Sequence, residues 1–99
     1  NRIRSKNFIP VLPNTNYYIF DGTNNEIGLY AYDSAQNYIG SYSSGSWSTT
    51  SSYAGNRVIT TPDNCAFLKF ATRNSYGTIY KNDICIKTNK RLFANSRLY

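Results

Sequence analysis

The sequence predicts an all-β fold, a single jelly-roll-like antiparallel sandwich. Three observations indicate it. About eight short segments alternate apolar and polar residues and recur every 8–12 residues or so. Clusters of Gly, Pro, Asn and Asp separate these segments as turns do, and apolar residues at helical spacing are nearly absent. A chain of 99 residues supports one domain, and both faces of several segments are partly apolar, which favours a sandwich over an open sheet.

The first half of the chain contains four predicted strands. They cover residues 8–11, 17–20, about 27–33 and 38–42. Pro10 places the first strand at a sheet edge or at a strand end, because proline has no amide hydrogen to donate to a neighbouring strand. Turn-forming residues at 13–16, 21–25 and 33–37 separate the four strands.

The strand predicted at about 27–33 has one aliphatic and one aromatic face. Leu29 and Ala31 alternate with Tyr30 and Tyr32, so the two pairs point to opposite sides of the sheet. Either the aliphatic face forms the core and leaves the tyrosines on an outer surface, or the tyrosines pack inward. Phe20, on another strand, is expected in the core because phenylalanine is more often buried than exposed.

The second half of the chain adds a polar segment and further strands. Residues 41–56 contain seven serines, two threonines and no charge, and they form either a long loop or a loose hairpin. The strands that follow are predicted at 58–60, 65–72, 79–80 and 83–88. The segment 65–72 has the strongest strand pattern, with Lys69 on the face opposite Leu68 and Phe70.

The composition favours binding over catalysis. Sixteen aromatic residues stand beside five acids and no histidine. A glycosidase needs two carboxylates about 5–10 Å apart, and five scattered acids give no support for such a pair. No Gly-x-Ser-x-Gly sequence occurs, so a serine or cysteine nucleophile has no visible base. We therefore expect that the chain is not an enzyme.

The sequence gives no support for a cofactor or a bound metal. Cys65 and Cys85 lie twenty residues apart without a CxxC spacing, which is not a zinc pattern. Either they form a cross-strand disulfide or, in the interpretation we prefer, they pack as free thiols. Asp21, Asp33 and Asp63 stand alone in turns, where capping of the turn explains them better than a structural calcium ion does.

The net charge of +6 does not predict nucleic-acid binding, because it is concentrated at the two ends. Residues 1–6 and 81–99 hold eight cations and one acid, whereas residues 7–80 hold three cations and four acids. The nearly neutral body lacks the broad basic stripe that follows phosphates. We expect the basic ends to solvate linkers or to contact a neighbouring domain. No apolar run approaches the roughly 20 residues of a membrane helix, so no membrane insertion is expected.

Four segments occur in an order that is typical of a known family. They are residues 5–17 (SKNFIPVLPNTNY), 32–39 (YDSAQNYI), 60–70 (TTPDNCAFLKF) and 82–86 (NDICI). Together they resemble the small jelly-roll carbohydrate-binding modules of bacteriophage tail, baseplate and receptor-binding proteins. The chain departs from the pattern of that family at Lys69, where arginine is frequent, in the Ser-rich insertion at 41–56, and at 89–99.

The resemblance implies a non-catalytic β-sandwich that attaches a virion, or a related secreted protein, to saccharides on a bacterial cell surface. We expect one domain over residues 1–99, with its core at about 5–88 and a tail or linker at 89–99, excised from a larger protein. The implied partners are a cell-wall polysaccharide or another surface glycan, together with other virion tail proteins. The implied location is the virion, acting outside the cell. The alternative is a structural or decoration domain that mediates protein–protein contacts in a tail assembly.

Seven residues are predicted to contact the ligand. They are Trp47, Tyr30, Tyr32, Tyr42, Tyr53, Arg57 and Lys69. Sugars stack their C–H faces on aromatic rings, and arginine or lysine adds directed or charge-assisted hydrogen bonds. Trp47 could instead fold back as a lid over the core, and Tyr42 and Tyr53 share that alternative. For Lys69 the interpretation we prefer is a solvated edge charge that discourages the addition of another strand.

Overall fold

The computed structural model describes residues 2–20, 25–50, 52–74 and 84–88, and these contain nine β-strands. The strands are β1 (Arg2–Arg4), β2 (Ile9–Pro10), β3 (Asn16–Phe20), β4 (Asn25–Tyr32), β5 (Tyr38–Ser43), β6 (Ser46–Ser48), β7 (Arg57–Thr60), β8 (Phe67–Asn74) and β9 (Cys85–Thr88). Within these ranges no helix is long and apolar enough to cross a membrane. The tail predicted at 89–99 and the strand predicted at 79–80 lie outside the described residues.

The nine strands form two antiparallel sheets. A six-stranded sheet has the order β1-β8-β4-β5-β6, with β2 also paired to β8, and a three-stranded sheet has the order β7-β3-β9. Pairing of β1 with β8 places Ile3 opposite Thr72, so the start of the chain lies beside a strand that is distant in sequence. The all-β sandwich predicted from the sequence is confirmed, and the jelly-roll connection of its strands stays a prediction.

The core lies between the two sheets and comes from alternate residues of their strands. In the six-stranded sheet Leu29 pairs with Phe70 and Ala31 pairs with Leu68, and all four are at most 2% exposed. The three-stranded sheet contributes Tyr17, Ile19, Ile59 and Ile86. The aliphatic face of the strand predicted at 27–33 is therefore the inner one, and the tyrosines of that strand face outward.

Phe20 lies on the outer side of the three-stranded sheet, and the expectation that it is buried is wrong. Tyr17 and Ile19 point inward on the same strand. Phe20 therefore points outward together with Tyr18, and it is 37% exposed. Tyr17 can occupy the core because its hydroxyl accepts a 2.8 Å hydrogen bond from the Leu12 amide. The alternation of the strand thus outweighs the greater hydrophobicity of phenylalanine.

The Ser-rich segment at 41–56, predicted as either a long loop or a loose hairpin, begins with a hairpin. β5 and β6 are joined at Ser44 and Gly45, whose φ angles of 49° and 92° are those of a tight left-handed turn. Tyr42 pairs with Trp47 across the hairpin, and both rings pack against the core beside Ile39. The hairpin therefore extends the six-stranded sheet at its edge and covers part of the core.

Cys65 and Cys85 are free thiols, as the preferred interpretation predicts. Cys65 is buried, and its Sγ lies 3.3 Å from the carbonyl oxygen of Phe67. Burial raises the pKa of the Cys65 thiol, which keeps this group in its neutral and poorly nucleophilic form. Cys65 therefore serves as a small apolar residue of the core.

Candidate functional site

The outward residues of β4 and β8 form four rows across the six-stranded sheet. The rows pair Tyr32 with Phe67, Tyr30 with Lys69, Gly28 with Ala71 and Glu26 with Arg73. We call this surface the outer face. The first row consists of two aromatic rings, and the second places a ring beside a cation. The third row consists of two small residues, and the fourth is an ion pair.

Four rings gather at one end of the outer face. The centre of the Phe8 ring lies 5.0 Å from that of Tyr32 and 5.6 Å from that of Phe67, both in edge-to-face geometry. The Tyr32 ring in turn lies 5.7 Å from that of Tyr38, which is 51% exposed. Such ring contacts contribute about 0.5–1.5 kcal/mol each beyond the area that they bury, so they hold this exposed cluster in place.

The Lys69 side chain lies over the ring cluster. Its Nζ is 4.2 Å from the centre of the Phe8 ring and 5.9 Å from that of Tyr32, which is within the range of cation–π attraction. In the part of the chain that the structure describes, the one ion pair joins Arg73 to Glu26 at 3.1 Å, so no described carboxylate neutralises Lys69. Its positive charge is therefore available to a ligand.

An open groove of about 370 Å³ lies beside Lys69 on the outer face, and we call it the sheet groove. Its lining residues are Arg4, Ser5, Tyr30, Tyr32, Lys69, Phe70 and Ala71. The groove forms here because Ala71 is small, whereas Lys69 and Arg73 on the same face of β8 have long side chains. β1 pairs with β8 so that Arg4 lies opposite Ala71, and this register brings a cation from the start of the chain to the groove.

The two tyrosines of the sheet groove hold their protons more tightly than a solvated phenol does. Burial, followed by the hydrogen bond and charge interaction with Tyr53, raises the pKa of Tyr30 to about 12, although the Arg4 charge acts in the opposite direction. Burial also raises the pKa of Tyr32, with a smaller contribution from Tyr38. Both phenols are therefore neutral donors and acceptors of hydrogen bonds at ordinary pH.

A second pocket, of about 460 Å³, lies between the β5–β6 hairpin and the segment before β7. Its lining residues are Tyr42, Ser44, Gly45, Ser52, Tyr53, Ala54 and Arg57. We call it the hairpin pocket. Tyr53 links it to the sheet groove, because the Tyr53 side chain hydrogen-bonds that of Tyr30 and its ring lies over Gly28.

Arg57 is held by main-chain carbonyls beside the hairpin pocket. Its guanidinium donates to the carbonyl oxygens of Ala54 at 2.7 Å, Gly55 at 3.0 Å and Ile27 at 2.8 Å. The same group lies 5.5 Å from the centre of the Tyr42 ring. These bonds fasten the segment before β7 to β4, where Ala54 and Ile27 also form an isolated bridge. Arg57 therefore stabilises the fold, and its contact with a ligand stays a prediction.

Trp47 connects the edges of the two sheets. Its indole Nε1 donates a 2.8 Å hydrogen bond to the carbonyl oxygen of Thr60 on β7. Its ring lies 5.1 Å from that of Tyr42, and both pack against the core while remaining partly exposed. This placement is the one expected of a lid, and a ligand contact by Trp47 stays a prediction.

The structure divides the seven predicted ligand residues between two places. The sheet groove contains Tyr30, Tyr32 and Lys69, and the hairpin pocket contains Tyr42, Tyr53 and Arg57. Trp47 adjoins the second group through its contact with Tyr42. Lys69 lies on the face opposite the core, as its alternation with Leu68 and Phe70 predicts.

Sequence reasoning missed the polar groove residues Arg4 and Ser5 and three members of the adjoining ring cluster, Phe8, Tyr38 and Phe67. The expectation that the basic start of the chain solvates a linker or contacts another domain stays a prediction, and it did not include the pairing of β1 with β8, which brings Arg4 to the sheet groove. No local pattern identifies that pairing. The outward position of Phe8 could have been predicted, because Phe8 precedes the buried Ile9 and neighbouring residues of a strand point to opposite faces.

The described residues contain no group of three or more His, Cys, Asp or Glu side chains placed to hold a metal ion. None of the protein families compared with the chain matches it, and comparison with curated proteins and with solved structures gave no match either. The case for a function therefore depends on the geometry of the groove and the pocket.

Proposed function

We propose that this domain binds saccharides without catalysis and attaches a phage tail, baseplate or receptor-binding protein to glycans on a bacterial cell surface. One observation carries the proposal: the sheet groove places two phenols, a lysine and an arginine beside an exposed cluster of rings. The resemblance of residues 5–88 to phage carbohydrate-binding modules supports the biological setting.

The ring surface of this chain exceeds what its core takes up. Of the twelve aromatic side chains among the described residues, Tyr17 and Phe70 are buried and the other ten are partly or fully exposed. Clusters of exposed apolar groups usually mark binding surfaces, because their hydration is unfavourable unless a partner covers them. The excess of rings outside the core supports recognition of a ligand.

The groove has the groups that a sugar ring requires. A pyranose can place its C–H face on the Tyr32 ring and direct its hydroxyls toward the polar groups beside that ring. The Tyr30 hydroxyl donates its proton to Tyr53 and can accept a hydrogen bond from a sugar hydroxyl, whereas Lys69 and Arg4 only donate. One groove of this size gives weak binding, and many copies on a virion convert it into firm attachment.

Titration calorimetry of a multimerised form of the protein with bacterial wall polysaccharide tests the proposal. We expect saturable binding that Tyr32→Ala weakens about tenfold, or about 1.4 kcal/mol, because it removes a stacking surface. Tyr18→Ala removes a half-buried ring from the three-stranded sheet and should change the affinity by less than about twofold. Absence of saturable binding to any surface glycan, or equal losses in the two variants, would contradict the proposal.

A second candidate function, contact with other proteins of a tail assembly, has an observation of its own. The outer side of the three-stranded sheet presents Phe20 and Val58, which are 37% and 46% exposed. Tyr18 pairs with Val58 across the strands, so these apolar side chains adjoin one another. Neighbouring apolar side chains at a surface are typical of protein contacts. Glycan binding and protein contact would then use different sheets.

A further inference from the structure

We infer that the saccharide held in the sheet groove carries an acidic group, a carboxylate or a phosphate, which binds between Arg4 and Lys69. This inference rests on the proposed function and narrows it to one class of ligand. It starts from the charge of the groove lining, which contains two cations and no acid among the described residues.

Two of the three described acids, Glu26 and Asp33, have partners of their own. Glu26, at the other end of the outer face, accepts a 3.1 Å hydrogen bond from Arg73. Asp33 accepts hydrogen bonds from the amides of Ala35 at 3.0 Å and Asn37 at 2.8 Å within its own turn. Within the described ranges, neither Arg4 nor Lys69 has a carboxylate within salt-bridge distance. An acidic ligand would supply the missing charge.

The groove also concentrates hydrogen-bond donors in a small space. Tyr30 pairs with Lys69 across the strands, and the Arg4 charge is near enough to act on the Tyr30 phenol. Because Tyr30 and Tyr32 keep their protons, they add no negative charge, and the Tyr32 hydroxyl adds a donor. An arginine fork binds two oxygens of a carboxylate or phosphate, and such charge-assisted hydrogen bonds are about twice as strong as neutral ones.

The dimensions favour a short acidic unit of a glycan over a nucleic-acid strand. A volume of about 370 Å³ is near the lower end of ligand pockets, which span about 300–1,000 Å³. Proteins that hold single-stranded nucleic acid follow about 4–16 nucleotides along a continuous basic groove. Here the basic lining ends at the Glu26–Arg73 ion pair on one side and at the ring cluster on the other. The groove therefore fits one anionic group on a sugar.

Binding of the full chain to four polymers tests the inference. The probes are polygalacturonate, which carries carboxylates, a glycosylated poly(glycerol phosphate), which carries phosphates, neutral dextran, and oligothymidylate. We expect one or both acidic glycans to bind at least about tenfold more tightly than dextran at about 50 mM salt, and this preference to shrink at about 500 mM. The carboxylate and phosphate arms then identify which acid the groove prefers.

Variants separate this inference from the proposed function. The double variant Arg4→Gln/Lys69→Gln should lose the tenfold preference for the acidic glycan, whereas Lys87→Gln, which removes a cation from the three-stranded sheet, should keep it. Equal binding of acidic glycans and dextran by the wild-type protein overturns the inference and leaves saccharide binding standing. Binding of no glycan at all overturns both, and tighter binding of oligothymidylate than of either acidic glycan rejects the saccharide as the ligand of the groove.

Discussion

Phe70→Ala should lower the free energy of unfolding by about 3–5 kcal/mol, the largest effect of any single substitution that we consider. The Phe70 side chain is 2% exposed and lies opposite Leu29 in the inner layer of the six-stranded sheet. Its removal takes apolar surface out of the core and leaves a cavity that the surrounding strands cannot fill. Because a domain of this size has a total stability of about 5–15 kcal/mol, the variant should be only marginally folded.

Urea unfolding followed by far-ultraviolet circular dichroism measures this loss. Leu12→Ala is the matched control, because the Leu12 side chain is 54% exposed and its truncation should change the stability by less than about 0.5 kcal/mol. The slope of the free energy against urea should stay the same in both variants, since the surface exposed on unfolding is nearly unchanged. A loss below about 1 kcal/mol for Phe70→Ala would mean that the inner and outer faces of the sheet are exchanged.

Arg57→Lys should cost about 1.5–3 kcal/mol of stability, although it keeps the positive charge. The guanidinium of Arg57 donates three hydrogen bonds to carbonyl oxygens on two segments of the chain. A lysine ammonium has no planar fork and cannot reach all of these oxygens from one position. The segment before β7 should therefore loosen from β4, and the loss is again measured by urea unfolding.

Arg4→Lys is the comparison for Arg57→Lys, because the Arg4 side chain is exposed and lies at an open groove, whereas that of Arg57 is held by three carbonyl oxygens. Its stability should change by less than about 0.5 kcal/mol. If Arg57→Lys retained full stability and instead lost glycan binding, Arg57 would act as a ligand residue, as the sequence predicts. The hairpin pocket would then replace the sheet groove as the binding site.

The fold was predictable because strand alternation is a local property of the sequence. The strand expected at about 27–33 is Asn25–Tyr32, and the one expected at 65–72 is Phe67–Asn74. In both, side chains that alternate between core and solvent leave a pattern of period two. The strand Arg2–Arg4 has no such pattern, because three residues are too few to show an alternation. Its pairing with β8 could not be predicted either, because the partner of Arg4, Ala71, is distant in sequence.

The site was less predictable because it depends on contacts between distant segments. Both faces of β4 are partly apolar, so the strand itself does not show which face is buried. One face is buried because residues of the other sheet, among them Ile19 and Ile86, pack against it. Tyr53 reaches Tyr30 from the end of the Ser-rich segment, which no local pattern specifies. The sequence therefore predicts which residues of the strand point outward, whereas it does not predict that they form a groove together with Arg4.

Amide chemical-shift mapping of the full chain during titration with an acidic glycan shows directly whether the outer face of the six-stranded sheet is the recognition surface. We expect the largest shift changes at Tyr30, Lys69 and Ala71, with no significant change at Val58 in the three-stranded sheet. Changes that centre on Val58, or on Tyr42 in the hairpin pocket, would contradict this expectation.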